Sequence, residues 1–158
     1  MSVINTIKSG LGSKLSISTA AFTGTKDAAG YAAATYAAMT LQDFAKPGQS
    51  FDMLTWRDLL TGNPTYIKGG KNFPAIDVVV ADLPTDSAIT ALEAAFADMT
   101  GEWAFKGEHT TDGTLTPRIT YFAGRVSGKA PGSTSLGDIL TVSYTIQVTS
   151  VSVIVAPT

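Results

Sequence analysis

RITYFAGRVS at Arg118–Ser127 and ILTVSYTIQVTSVSVIV at Ile139–Val155, joined by GKAPGSTSLG at Gly128–Gly137, decide how this chain is to be read. In the second run Leu140, Val142, Tyr144, Ile146 and Val148 share one parity, and Thr141, Ser143, Thr145, Gln147 and Thr149 share the other. That is the two-residue period of a half-buried strand. At Ser150 the phase flips: Val151, Val153 and Val155 take the formerly polar parity, and Ile154 breaks the alternation. A bulge or a change of sheet near Thr149–Ser150 accounts for the flip, because one inserted residue sends every later side chain to the opposite face. The run is seventeen residues long, well beyond the usual strand of about five or six, so the C-terminal third reads as a long, bent hairpin. In the first run Ile119, Tyr121 and Ala123 alternate with Thr120, Phe122 and Val126, and Gly124 marks a bulge or a close approach of backbone.

Upstream, Asp86–Thr100 has the signals of a helix. Pro84 precedes it, Asp86 is placed to accept from the first-turn amides, and Gly101 sits where a left-handed cap is wanted. Ile89, Leu92, Phe96 and Met99 recur at spacings of three and four, an apolar stripe for core packing, and alanines keep the rest thin enough to lie against a sheet. Glu102–Glu108 follows as a strand with Trp103 and Phe105 on one face, and Asp112-Gly113 supplies a turn.

Before the helix, Lys14–Thr19 alternates as a short strand. Tyr36–Phe44 and Gln49–Trp56 flank Lys46-Pro47-Gly48, the residues a type II turn wants, and together suggest a hairpin. Leu59 and Leu60 in the connector after it are expected to plug inward. A strand at Thr65–Lys71 is expected to break at Gly69-Gly70, and Asn72–Asp82 restores one with Ile76, Val78 and Val80 on a single face. Ala20–Thr35, interrupted by Gly24 and Gly30, reads as a mobile loop with two anchors, Phe22 and Tyr31, or else as a disordered linker. Met1–Ser13, with Ile4 and Ile7 among its apolar residues, is either a frayed terminus or an arm that docks on a neighbouring subunit. Strands, one helix, then strands make a mainly β architecture: an antiparallel β-sandwich or half-barrel with one flanking helix (about 86–100) and a long C-terminal hairpin, an arm at 1–13 and a single domain at 14–158.

Composition excludes several classes. With 158 residues the chain fits one domain, and with no cysteine it offers neither a disulfide framework nor a cysteine zinc site. Eleven Lys and Arg against thirteen Asp and Glu leave a net charge of −2, without the footprint of a nucleic-acid binder. No apolar run approaches the length of a bilayer-spanning helix, so no membrane insertion is expected. MSVINTIKSGLGSK lacks the pattern of a secretory signal, making a soluble cytoplasmic protein the default expectation. The single histidine, His109, has no second histidine or cysteine to join it in a metal site, no serine lies in a G-x-S-x-G elbow, and the carboxylate pairs Asp82/Asp86 and Glu93/Asp98 are explained by helix capping and a solvated face. Lys68 and Lys71 flank the glycine pair as a solvated turn rather than an anion site. The expectation is a protein that is not an enzyme, with no catalytic residue, cofactor or metal.

The amphipathic DSAITALEAAFADMTG, the aromatic EWAFKGE, the FAGRV segment and GD-x-LTVSYTIQVTS in that order, with TYIKGGKN upstream, resemble the tube domain of phage major tail proteins of the lambda type. The likeness spans about Lys14 to Val155 and is densest over Asp86–Val155; it is carried by apolar positions and glycines rather than by a catalytic motif. Two departures are the Ala-rich segment at Ala20–Thr35 and the expected lack of an immunoglobulin-like domain after Thr158. The resemblance implies a virion structural protein related in fold to contractile tail tubes and secretion-system tube proteins. It implies hexameric rings stacked into a conduit for DNA ejection, assembled in the host cytoplasm together with tip or initiator, tape measure and terminator proteins. Within that picture the strands Arg118–Ser127 and Ile139–Ser150 supply the inner sheet and pair laterally with a neighbour's edge, while Thr141, Ser143, Thr145 and Gln147 face the lumen. Ile4, Ile7, Phe22, Tyr31, Arg125 and Lys129 are the candidate contacts between subunits. A tail terminator or head-tail connector that stops at one ring is an alternative, and a carbohydrate- or surface-binding β-sandwich module is another. The second wants clustered solvent-facing aromatics, whereas Trp56, Trp103, Phe105, Tyr121 and Phe122 are scattered among strands.

Overall fold

A computed structural model describes residues 13–44, 47–109, 117–132, 136–137 and 139–156 of the chain. Its strands are β1 (Lys14–Ser18), β2 (Tyr36–Ala38), β3 (Leu41–Phe44), β4 (Ser50–Arg57), β5 (Pro64–Asn72), β6 (Ile76–Ala81), β7 (Trp103–His109), β8 (Arg118–Pro131), β9 (Thr141–Val148) and β10 (Val153–Val155), and its helices are α1 (Ala28–Ala32) and α2 (Ser87–Ala97). One antiparallel sheet runs β2-β1-β7-β8-β9-β6-β3, with β10 added to β8, and β4-β5 form a separate ribbon. The two ends of that order, β2 and β3, are separated in the chain by Met39 and Thr40 alone. The Met39 amide donates to the Leu15 carbonyl and the Ala81 amide to the Thr40 carbonyl, so this short link pins β1 to β6 and curls the sheet into a half-barrel. The chain is mainly β, and of the two expected forms the half-barrel is the one present.

The predicted 36–56 hairpin is therefore replaced by a different pairing. β3 pairs with β6 and β4 with β5, because the 36–44 segment is drawn into the half-barrel by the burial of Ala37 and Met39. β5 continues through Gly69-Gly70 with a register shift opposite Phe51–Met53 instead of breaking there.

The concave face holds the main core: Leu15, Ile17, Val78, Val80, Phe105, Phe122, Tyr144 and Ile146, covered by α2. Asp86 caps that helix as expected, its carboxylate accepting from the Ala88 amide at 3.1 Å. The buried stripe of α2 is Ala88, Ile89, Ala91, Leu92 and Ala95, and Phe96 and Met99 point to solvent. The alanines bring the helix against the sheet, and the larger residues are left outside. Helix termination also differs from expectation. Asp98 is the C-terminal cap, and its carboxylate accepts from the amides of Thr100 and Gly101 in place of a left-handed glycine.

The bent hairpin is present, but its bend has a different cause. Val148 lies opposite Gly124 and Val153 opposite Tyr121, so five steps along β9–β10 answer three along β8. Two extra residues keep every side chain on its original face, whereas one would have reversed them. The apolar phase changes because the burial changes sides: Val148 packs in the concave core, while Val153 and Val155 join a second cluster on the convex face with Tyr31, Ala104, Tyr121 and Ala123. Gly124 is a close approach, since a Cβ there would sit 2.8 Å from Ile146 Cγ2 and 2.9 Å from the Gln147 carbonyl oxygen. β8 runs on to Pro131, so the first part of the Gly/Pro/Ser-rich connector is strand.

Candidate assembly interface

Ala20–Thr35 is neither mobile loop nor linker but an ordered flap. Asp27 caps α1 by accepting from the Gly30 amide at 2.7 Å, and that bond, then the Thr25 hydroxyl, holds its carboxyl below the usual range. The flap carries Tyr31 into the convex cluster, where it is wholly buried, stacked 4.8 Å from Phe22 and 5.6 Å from Tyr121. Its hydroxyl lies 3.1 Å from Ser150 Oγ, which accepts from the Ala123 amide, and Tyr36 donates to the Tyr31 carbonyl. Tyr31 is thus an anchor inside its own subunit, and its side chain has nothing left to offer a neighbour; Phe22 is half-buried against it.

Lys129 likewise finds its acidic partner at home. Its ammonium lies 2.5 Å from Glu93 Oε1, which also accepts from the Tyr144 hydroxyl at 2.6 Å. Lys129 first, then Tyr144, hold the Glu93 carboxyl below its ordinary value, and burial followed by the hydrogen bond to Glu93 pushes the Tyr144 hydroxyl upward. Arg125 stays exposed, opposite Gln147; the Gly101 amide chiefly lowers the carboxyl of Asp98 and Lys26 that of Glu102, with the Arg125 charge the smallest contribution to each. Ile4 and Ile7 lie outside the described residues.

β8 and β9 are interior strands, with β7 on one side of β8, β9 and β10 on its other, and β6 beyond β9. Ile119–Gly124 of β8 and Thr141–Ile146 of β9 are flanked on both sides, whereas among the described residues no strand pairs with β8 beyond Gly124 on its β7 side, so the expected lateral pairing with a neighbour's sheet is open only to Arg125–Pro131. What β9 does offer is its convex face. Thr141, Ser143, Thr145 and Gln147 lie there, opposite the buried Val142, Tyr144, Ile146 and Val148. The face is polar and internally tied: Thr145 Oγ1 donates to Asp77 at 2.8 Å and Gln147 Nε2 to the Phe73 carbonyl at 2.7 Å.

Among the described residues, the surface that lacks a partner is the β4–β5 ribbon. Its strands pair, among the described residues, only with each other, and every residue of both is exposed except half-buried Gly69. One face presents Leu54, Trp56 and Ile67, at 60%, 67% and 54% exposure, and the other presents Met53 and Tyr66. Lys68 and Lys71 lie over the Phe51 ring at 5.2 and 5.9 Å. At the tip Leu59 and Leu60 stand in solvent rather than plugging inward. Asp58 fixes that turn: its carboxylate accepts from the Leu60 amide and the Thr61 hydroxyl, which lower its pKa, and its carbonyl accepts from the amide of Gly62, whose φ of 70° closes the loop. An isolated two-stranded ribbon is marginal in water, and apolar surface on this scale marks contact with another molecule. The sequence held a signal for it. Phe51 and Met53 on one parity with Leu54 and Trp56 on the other do not alternate, as a ribbon covered on both faces requires and a strand with one solvent face does not.

Of the named aromatics Trp103, Phe105, Tyr121 and Phe122 are core residues, and Trp56 alone is exposed. His109 ends β7 opposite Arg118, half-buried. Among the described residues no group of three or more His, Cys, Asp or Glu is placed to hold a metal ion, and no helix is long and apolar enough to cross a membrane.

No family profile matches the chain, and no curated protein matches it in sequence. Solved structures do. A chain of the extended-state sheath/tube terminator of an extracellular contractile injection system, PVC, is 13% identical with a TM-score of 0.64, covering 91% of this chain and 93% of that one. A chain of the six-fold-symmetrised baseplate of the anti-feeding prophage is 5% identical with a TM-score of 0.67, covering 90% and 91%. The SPP1 tail tube is 13% identical with a TM-score of 0.60, covering 94% and 78%. At such identities the likeness is one of fold, and the chain has a phage tail-tube-like fold.

Proposed function

We propose that this chain is the structural subunit of a phage-type tail tube, a virion protein that assembles with itself into stacked hexameric rings around a channel for DNA. The observation that carries the reading is a tail-tube fold bearing an apolar ribbon with no partner among the described residues. A head-to-tail contact between identical subunits closes into a ring or continues as a filament, and the β4–β5 ribbon is an extension able to reach a neighbour. The convex face of β9 and β6 suits the channel wall: Thr141, Ser143, Thr145 and Gln147 are uncharged, and the nearby Asp77 and Arg125 balance. Few phosphate-neutralising contacts would leave DNA free to slide. Tip or initiator, tape measure and terminator proteins are the other partners, assembly takes place in the host cytoplasm, and neither catalysis nor a cofactor is part of the role. Negative-stain microscopy of the purified chain at rising concentration tests it: rings and tubes are expected, and a protein that stays monomeric, alone and in its native particle, overturns it. The similarity to a chain of a sheath/tube terminator keeps one second reading in view, a terminator that forms single rings and never elongates.

A further inference from the structure

We propose that a pocket at one end of the concave face, lined by His109, Arg118, Thr120 and Ser152, binds a small phosphate-type oxyanion. The space measures about 180 Å³, and Pro47 and Ile154 complete its described lining. At roughly 30 Å³ per water in the liquid, that is room for one phosphate group with part of its hydration shell. Strand register brings the polar groups together. His109 ends β7 directly opposite Arg118 at the start of β8, and Thr120 lies opposite Ile154 of β10. Directly opposite side chains in an antiparallel pair stand about 5 Å apart at Cβ, a separation at which two donors can hold one oxyanion between them. His109 shares the parity of the core residue Phe105, and Arg118 and Thr120 share that of Phe122, so the pocket continues the concave face beyond the end of its apolar core.

The chemistry of the lining selects an anion. It holds a guanidinium, whose planar fork of N–H groups matches phosphate oxygens, together with an imidazole and two hydroxyls. Among the described residues no carboxylate lines the pocket, and none forms an ion pair with Arg118. Glu108, adjacent to His109, stands on the opposite face of β7, where Lys106 holds it at 2.6 Å. Thr120 and Ser152 are half-buried while Arg118 is exposed. The charged group therefore meets an incoming ion first, and the hydroxyls wait behind it to take up the remaining oxygens. Thr120 and Arg118 face away from the convex side, where Thr141, Ser143, Thr145 and Gln147 form the proposed channel wall. The ligand is accordingly a small ion from solution rather than the backbone of passing DNA. The site stands apart from the assembly reading, and its failure would leave that reading untouched.

The test is a titration of the dilute, nitrogen-15-labelled full chain with sodium phosphate at constant ionic strength, followed by two-dimensional NMR. Saturating shifts are expected at the amides of His109, Arg118, Thr120 and Ser152, with half-saturation at about 1 mM, the scale of a few charge-assisted hydrogen bonds. Arg118→Gln should raise the half-saturation concentration about tenfold or more and leave the spectrum of the core unchanged. Thr120→Val should raise it by a smaller factor. A heat-denaturation shift would not serve, since phosphate strengthens apolar burial in any protein. Shifts that grow without saturating, that sodium chloride reproduces, or that persist in Arg118→Gln overturn the site. A short DNA duplex without terminal phosphates should leave these amides in place. A duplex that moves them at lower concentration than phosphate overturns the assignment to a small ion.

Discussion

Two antiparallel ribbons of this molecule are built from similar residues and meet opposite fates. β8–β9 lies inside the sheet, between β7 and β6, with Val142, Tyr144, Ile146 and Val148 in the core. β4–β5 is exposed at every residue but Gly69 and, among the described residues, pairs with no other strand. Hydrophobicity does not separate them, since Trp56, Leu54 and Ile67 are as apolar as anything in β9. Pattern does. β9 alternates strictly, as a strand with one face in a private core must, while β4 is apolar on both parities and has no core to use either. Apolar residues in a folded chain are thus committed either to its own stability or to association, and substitutions should sort into those two classes.

The largest effect belongs to the interior. Gly124→Val puts side-chain atoms where Ile146 and the Gln147 carbonyl already stand, and the variant should fail to fold, as judged by loss of a cooperative thermal transition. Phe105→Ala, which removes a buried ring stacked 5.1 Å from Phe122, should cost about 3–5 kcal/mol in denaturant unfolding. If either leaves stability untouched, the assignment of these strands to a private core is wrong.

The ribbon should behave in reverse. Leu54→Ser with Trp56→Ser changes exposed side chains and should shift monomer stability by only about 0.5 kcal/mol, yet abolish particles in sedimentation. A variant that loses folding and association together would erase the distinction between the two regions.

Smaller still is the Lys129–Glu93–Tyr144 link, which ties α2 to β8 and β9. The Glu93 pKa is lowered in the fold from an ordinary 4.5, chiefly by Lys129. Its contribution is therefore fully present above that value and is lost as pH falls through the lower, folded one. For an exposed pair the loss should be about 0.2–1 kcal/mol, and Glu93→Gln should remove that part of the acid dependence in urea titrations at several pH values. The smallest change is expected from Ser143→Lys on the polar convex face, which should leave folding and assembly alone. Retention of duplex DNA by the assembled protein should become more salt-sensitive, by a slope of up to about 0.9 per new phosphate contact; no change would remove that face from the channel wall.

Period and capping were legible without coordinates. The alternation of Ile76–Val80 and Leu140–Val148 and the capping by Asp86 follow from chemistry within a few residues, so the mainly β class with one flanking helix could be read from the chain alone. Which strand pairs with which could not. Segment 36–44 looks like half of a local hairpin, but its backbone groups were claimed by β1 and β6, which lie far away in the chain. The same limit hid the flap that buries Tyr31, the local partner of Lys129 and the exposure of Leu59 and Leu60. Local sequence dictates which side chains share a face, because that depends on backbone geometry over two to four residues. Whether a face meets its own core, a neighbour or water depends on contacts between distant segments, and only the folded arrangement decides it.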